Sequence, residues 1–247
     1  MVLAFQFGTI LPMPNLKEVE VPELRRSVAV FPIVGGLLGA VLLLADWGLQ
    51  HILPSWPGAV LALALYTGMT GALHLDGLMD TFDALGSRKP RDAALDIMRD
   101  SRIGAMGAVS CVLILGIKLC CLASIGVGDW GFFLVVPMVS RLCMVWSMRL
   151  APSARVGLGL GGIYAGQVPA SVIAIGSLVI ALLSFFLLSP AEAVTIIIAA
   201  LVFTSLFTAW MKYKFGGMTG DTYGALHELA ESFLWVLAVG LTNGSWQ

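Results

Sequence analysis

Thr70-Gly71-Ala72-Leu73-His74-Leu75-Asp76-Gly77-Leu78-Met79-Asp80-Thr81-Phe82-Asp83 is the most informative stretch of this chain. Its first half ends an apolar run over 57–78. About 20 such residues let a helix cross the hydrocarbon of a bilayer. Its second half sets Asp76, Asp80 and Asp83 at spacing i, i+4, i+7, which puts all three on one face of a helix. Three like charges on one stripe at a membrane border repel each other and resist desolvation. A bound cation removes both penalties, and hard carboxylate oxygens suit Mg²⁺ or Mn²⁺ better than Zn²⁺. Asp76, Asp80 and Asp83 are therefore candidate metal ligands, and Gly77 would let a phosphate approach the backbone.

Six more apolar runs, over 30–52, 103–127, 130–150, 168–189, 191–211 and 225–242, are long enough or nearly long enough to span. The 247 residues are 58% hydrophobic and only 12% charged, with a mean hydropathy of +0.92, whereas a soluble domain carries about 25% charged residues. Disorder is excluded by this hydrophobicity, and a membrane β-barrel by the lack of short alternating segments. A net charge of −1 argues against phosphate neutralisation, so no nucleic acid partner is expected. The expected fold is all-α: a polytopic bundle of about seven transmembrane helices in the lipid bilayer. It forms one membrane-embedded domain over 1–247, with an N-terminal cytoplasmic or interfacial segment over 1–29 and a cytoplasmic loop over 84–102. Residues 1–16 are apolar but too short to span, and Pro12 and Pro14 break any helix there. No basic n-region precedes them, so a cleaved signal peptide is not expected and an interfacial or re-entrant segment fits better.

Lys and Arg set the topology. Lys17, Arg25, Arg26, Arg88, Lys89, Arg91, Arg99, Arg102, Arg149, Arg155, Lys212 and Lys214 all fall on one side if seven helices alternate. The opposite loops hold Asp129 and Glu192 instead. This predicts a cytoplasmic N-terminus and an inner-membrane location. Trp47, Trp56, Trp130 and Trp246 then mark the outer interface. Lys118 and Arg141 lie inside spans. Lys118 is expected to snorkel or pair with a buried acid, and Arg141 to pair with Glu228 or Glu231. The four cysteines sit in apolar spans and read as small buried hydrophobes, with no disulfide framework.

Two more polar stretches fall on the predicted cytoplasmic side. In Asp96-Ile97-Met98-Arg99-Asp100-Ser101-Arg102-Ile103-Gly104-Ala105-Met106-Gly107, Asp100 can join the metal group, and Arg99 and Arg102 can grip phosphate oxygens. Gly104 and Gly107 permit close helix contact or ligand approach. In Phe215-Gly216-Gly217-Met218-Thr219-Gly220-Asp221-Thr222-Tyr223-Gly224-Ala225, the glycine-rich turn can present backbone N–H groups to an anion. Asp221 adds a carboxylate, and Glu228 and Glu231 follow as costly acids on a membrane helix. Together these residues suit a metal–diphosphate substrate, and so phosphoryl-group transfer at the inner face of a membrane.

At these residues the chain resembles the cobalamin synthase family, the adenosylcobinamide-GDP ribazoletransferases. Phe7-Gly8-Thr9-Ile10-Leu11-Pro12-Met13-Pro14 resembles its F-x-T-x-L-P-x-P opening, and Phe31-Pro32-Ile33-Val34-Gly35-Gly36-Leu37-Leu38-Gly39 its next segment. The stretches from His74 to Asp83, Ile97 to Gly104 and Gly217 to Ala225 resemble H-x-D-G-L-x-D-T-x-D, I-M-[KR]-D-S-R-x-G and G-x-T-G-D-x-x-G-A. Ser140-Arg141 and Ala154-Arg155-Val156-Gly157-Leu158-Gly159 also fit. The departures are Ala84, where Gly often stands, and Ile10, where Arg is commoner.

The resemblance implies an Mg²⁺-dependent membrane enzyme. It would join adenosylcobinamide-GDP to α-ribazole, or its 5′-phosphate, and release GMP. Asp76, Asp80, Asp83 and Asp100 would hold the metal, and Arg99 or Arg102 would neutralise the leaving GMP. Asp83, Asp100 or His74 would take the proton of the attacking ribazole 3′-hydroxyl. His74 lies about 200° round the helix from Asp76, away from the carboxylate stripe. Gly77, Gly104, Thr219, Asp221, Glu228 and Glu231 would line the substrates. CDP-alcohol phosphotransferases share a looser aspartate pattern, but Thr81-Phe82 after Asp80 does not follow theirs. A cation-coupled transporter predicts midplane acids and inverted repeats; the chain has no internal repeat, and its acids cluster at one face. A homo-oligomer remains open.

Overall fold

The structure, a computed structural model, describes residues 2–14, 19–155 and 160–242. Lys17, Val156 to Gly159 and Trp246 lie outside the described residues. In chain order the helices are α1 Val2–Gly8, α2 Val21–Ser27, α3 Phe31–Gln50, α4 Ser55–Met69, α5 Leu73–Gly86 and α6 Arg91–Ile97. They continue as α7 Ala105–Ser124, α8 Trp130–Leu150, α9 Leu160–Tyr164, α10 Ala170–Leu187, α11 Pro190–Phe215 and α12 Gly220–Thr242. Helices satisfy every backbone group within the segment, which apolar surroundings require. Six of these segments are each long and apolar enough to cross a membrane. The pair α4 and α5, bent by 88°, counts as a seventh when the two are taken as one broken span.

That bend alters the expected second span. Gly71 (φ +59°) and Ala72 (φ +55°) adopt left-handed backbone, which stops α4 one turn before the aspartate motif. The run over 57–78 is therefore two helices, and α5 carries all three aspartates. The N-terminal segment braces the break: the Ile10 N–H donates to the Met69 carbonyl at 2.9 Å. A Cβ at Gly71 would come within 2.8 Å of the Ile10 side chain. The prolines leave room for two helical turns ahead of them, and α1 fills those turns. Its Phe7 stacks on Phe31 of α3 with ring centroids 5.4 Å apart.

Helix α8 is the centre. From Gly131 to Met148 every residue but Leu134 is buried. Helix α3 lies along it through a Gly35-x-x-x-Gly39 face. A Cβ at either glycine would come within 2.2 Å of the Pro137 carbonyl oxygen or 2.1 Å of that of Phe133. Small residues at this spacing let membrane helices close on one another, which accounts for the glycines of the Phe31 to Gly39 segment. Helix α5 packs on α12 and α7, and α12 also packs on α8 and α11. Helix α10 buries only Ile180 and Ser184, as a peripheral helix facing acyl chains would. A capping box between Ser189 and Glu192 starts α11, and Gly216 at φ +76° ends it. Trp47, Trp56 and Trp130 are exposed, consistent with their expected place in an interfacial belt.

Candidate active site

One end of the bundle gathers three distant stretches. Ser153 bridges to Met218: the Ala154 N–H donates to the Met218 carbonyl, and the Met218 N–H to the Pro152 carbonyl, both at 2.9 Å. Gly217 makes this approach possible, since a Cβ there would lie 2.3 Å from the Pro152 oxygen. The pairing puts Arg155 beside Asp221, with Nη2 3.6 Å from Oδ2. Arg155 also donates to the Leu95 carbonyl at 3.0 Å, and Arg91 to the Ala154 carbonyl at 2.9 Å. Helix α6 is thereby tied to the same end.

Helix α12 begins in this corner. The Thr222 N–H donates to Thr219 Oγ1 at 3.1 Å, and the Thr219 N–H donates to Thr222 Oγ1 at 2.7 Å. This reciprocal cap satisfies N–H groups at the helix start. Thr219 Oγ1 also reaches Asp221 Oδ2 at 3.3 Å. Thr219, expected to touch substrate, thus organises the turn that presents Asp221. Gly77 likewise serves packing: a Cβ there would lie 2.8 Å from the Asp221 carbonyl oxygen, and one at Gly224 would lie 3.1 Å from that of His74. The two glycines let α5 and α12 cross with Asp221 over the aspartate helix.

The aspartates separate by environment. Asp76 is exposed, and Asp80 and Asp83 are half-buried. Asp80 lies past Leu78, where the apolar run ends. Asp76, Asp221 and Asp83 bring negative charge to its carboxylate, and Arg155 opposes them. Excess negative charge therefore collects around Asp80. Asp83 is committed elsewhere: its carboxylate accepts from the Gly104 N–H at 2.7 Å and the Gly107 N–H at 2.8 Å. It thus caps the first turn of α7. A Cβ at Gly104 would lie 2.3 Å from Asp83 Oδ1, and one at Gly107 2.4 Å from Oδ2. Of the two roles open to these glycines, the structure shows close helix contact.

Asp100 also has a partner. Arg102 Nε donates to Asp100 Oδ1 at 2.9 Å, and Nη2 lies 2.5 Å from Oδ2. This engagement lowers the Asp100 carboxyl to about 2. Arg102 is 86% exposed at its side chain, so this pair stands on the loop surface. Arg99 is exposed, and it and Arg155 are the cations acting most strongly on Asp221.

Deeper in the bundle, Glu228 and Glu231 belong to a buried ion network. Lys118 Nζ donates to Glu228 at 2.7 Å and also to Glu231. The Tyr66 hydroxyl donates to Glu231 at 2.5 Å. Arg141 Nη1 reaches Tyr66 Oη at 3.4 Å and the Pro137 carbonyl at 3.1 Å. Two cations meet two carboxylates, so Lys118 pairs with acids as expected, whereas Arg141 reaches Glu231 through Tyr66. His74 packs edge-on against His227 with centroids 4.3 Å apart, facing the bundle interior as its helical position implied. His74, His227 and Glu228 are the one set of three potential metal donors lying within 4.8 Å of one another among the described residues. Asp76, Asp80 and Asp221 influence one another but form no closed cage.

A cavity of about 100 Å³ opens beside them, touched by Asp76, Asp221, His74, Phe7, Met148 and Tyr223 among others. Sequence reasoning missed Arg91, Arg155 and Tyr66 as members of this region. Arg155 was visible as a basic residue in a family-like stretch, but nothing local pairs position 155 with position 221.

The fold and site define a polytopic membrane protein with a carboxylate-rich, arginine-rimmed pocket at one end of its bundle. A family model described as cobalamin-5-phosphate synthase matches residues 1–239. The chain belongs to that family, whose members are transferases of cobalamin biosynthesis. An adenosylcobinamide-GDP ribazoletransferase of Thermoanaerobacter pseudethanolicus is 39% identical over 94% of this chain and 93% of its own length. One of Brevibacillus brevis is 35% identical over 96% of each chain, and one of Geotalea daltonii 36% identical over 93% and 92%. No solved structure matches the chain.

Proposed function

We propose that this protein joins adenosylcobinamide-GDP to α-ribazole, or its 5′-phosphate, and releases GMP at the carboxylate end of the bundle. The observation that carries this reading is that Asp76 and Asp221 line one cavity, with Asp80 and Arg155 beside them, in a chain of this family. Mg²⁺ fits this donor set, because it is usually held by one or two carboxylates plus substrate phosphates rather than by an all-protein cage. Asp76 and Asp80 would hold it, in place of the expected set that included Asp83 and Asp100. When bound, it supplies neutralisation of the diphosphate charge.

The side chains divide the remaining work. Arg155 and Arg99 offer N–H groups to the phosphate oxygens of the departing GMP. Asp221 keeps Oδ2 against Thr219 and Arg155, and its other oxygen would take the proton of the attacking hydroxyl. Asp83, by capping α7, holds the 98–104 loop beside the site. The basic residues at this end support a site on the cytoplasmic side of the cell membrane, by the positive-inside rule.

The test uses purified protein in lipid nanodiscs with adenosylcobinamide-GDP, α-ribazole and Mg²⁺. GMP and a cobalamin product are expected, and neither should form when Mg²⁺ is chelated. Failure to release GMP from the wild type with all components present overturns the reading. Normal GMP release by folded Asp80→Asn removes the carboxylate site from it.

A further inference from the structure

His74 is 4% exposed, and neither ring nitrogen has a hydrogen-bond partner. A neutral imidazole always carries one N–H, whichever tautomer is present. One buried donor is therefore left unmade, and an unsatisfied buried donor is costly to keep. The hydroxyl of Tyr223 is buried and unpartnered in the same way. Both residues line the cavity that Asp76 and Asp221 also touch, so the site contains two polar atoms waiting for something that enters.

The rest of the lining describes what enters. Phe7, Met144, Met148 and Tyr164 supply aromatic faces and flexible thioethers, surfaces that pack well on flat π-systems. The volume, about 100 Å³, far exceeds the ~10–15 Å³ that one water needs. A metal ion suits the His74 corner poorly. Glu228 is already paired with Lys118, and Arg141 stands close by in the same network, so a dication would add uncompensated buried charge. Guanine suits it no better, because the carboxylates that could take its donors, Asp76 and Asp221, are already committed to the metal and to the attacking hydroxyl.

We infer that this cavity is the base pocket for the incoming nucleoside: it takes the flat benzimidazole of ribazole, whose one free ring nitrogen accepts a hydrogen bond from His74. This rests on the transferase reading above and adds to it the place and the recognising residue of the second substrate. Helix α1 closes the pocket through Phe7, which gives the N-terminal motif a role in binding as well as in bracing the α4–α5 bend. Asp221, at the cavity wall, then meets the ribose of the same nucleoside.

The experiment compares ribazole with the matching indole riboside, which has a C–H where the free nitrogen stands. In the wild type at saturating adenosylcobinamide-GDP, the KM for indole riboside is expected at least tenfold above that for ribazole. In His74→Phe the ribazole KM rises at least tenfold and the gap closes to within twofold, while the KM for adenosylcobinamide-GDP stays within threefold. Met148→Phe, which fills the pocket from α8, raises the ribazole KM in the same selective way. Equal use of the two ribosides by the wild type overturns the proposal, as does a gap that persists in His74→Phe. The riboside comparison on the wild type decides the matter even if a variant fails to fold. A wild type that releases no GMP with ribazole overturns the transferase reading, and this proposal with it. Turnover with no selectivity overturns the base pocket alone.

Discussion

Asp83 shares a helical face with Asp76 and Asp80, yet its oxygens accept the backbone N–H groups of Gly104 and Gly107. A helix start left without such an acceptor costs about 0.5–2 kcal/mol. Asp83→Ala should therefore lower thermal stability in detergent by about that much. Asp83→Asn should keep the wild-type Mg²⁺ requirement, because both Asp83 oxygens are engaged in capping α7. A tenfold shift in the Mg²⁺ concentration giving half-maximal GMP release by Asp83→Asn would return it to the ligand set. Gly104→Ala places a methyl 2.3 Å from Asp83 Oδ1 and should act in the same direction as Asp83→Ala. The periodicity made the three aspartates legible as one stripe. It could not tell a ligand from a cap, because the partner that distinguishes them lies 21 and 24 residues away.

The crossing of α5 and α12 is where two elements become one site. Gly77→Ala puts a methyl into the Asp221 backbone, with 2.8 Å between the new carbon and the carbonyl oxygen. The first turn of α12 must then shift, and with it Asp221 and its contact to Arg155. GMP release should fall at least tenfold while far-UV circular dichroism stays unchanged; full activity would show that the crossing does not set the site. Thr219→Ala removes half of the reciprocal cap and should cost about 1 kcal/mol, read as a lower melting temperature with the ribazole KM preserved. The glycine-rich turn was recognisable in sequence as a place where backbone approaches something. The structure identifies that something as the chain itself: Pro152 at Gly217, Arg91 at Gly216 and His74 at Gly224.

Across the bundle, Lys118, Arg141, Tyr66, Glu228 and Glu231 lock α7, α8, α4 and α12 together with charges that balance. Removing one partner of a buried pair costs about 3–5 kcal/mol, because the other charge stays behind unpaired. Lys118→Met should melt well below the wild type in detergent. Adding Glu231→Gln restores neutrality between Arg141 and Glu228, and should recover at least half of the lost stability. No recovery in the double variant would mean that Lys118 acts through packing alone.

Much of this molecule follows from order along the chain. Apolar runs of spanning length require helices, since no other conformation but a closed barrel satisfies backbone groups in hydrocarbon. Helical spacing fixes which residues share a face, so the aspartate stripe and the inward turn of His74 were readable from one dimension. Which acid meets which partner was not. Asp83 with α7, Arg155 with Asp221 and Lys118 with Glu228 join residues on separate elements, the last of them 110 positions apart. Their meeting depends on the 88° break at Gly71 and Ala72 and on the glycines that let helices close. Local spacing governs a face because neighbouring residues share one rigid helix. Packing between helices assigns the partners, because only contact in space brings a charge to the group that satisfies it.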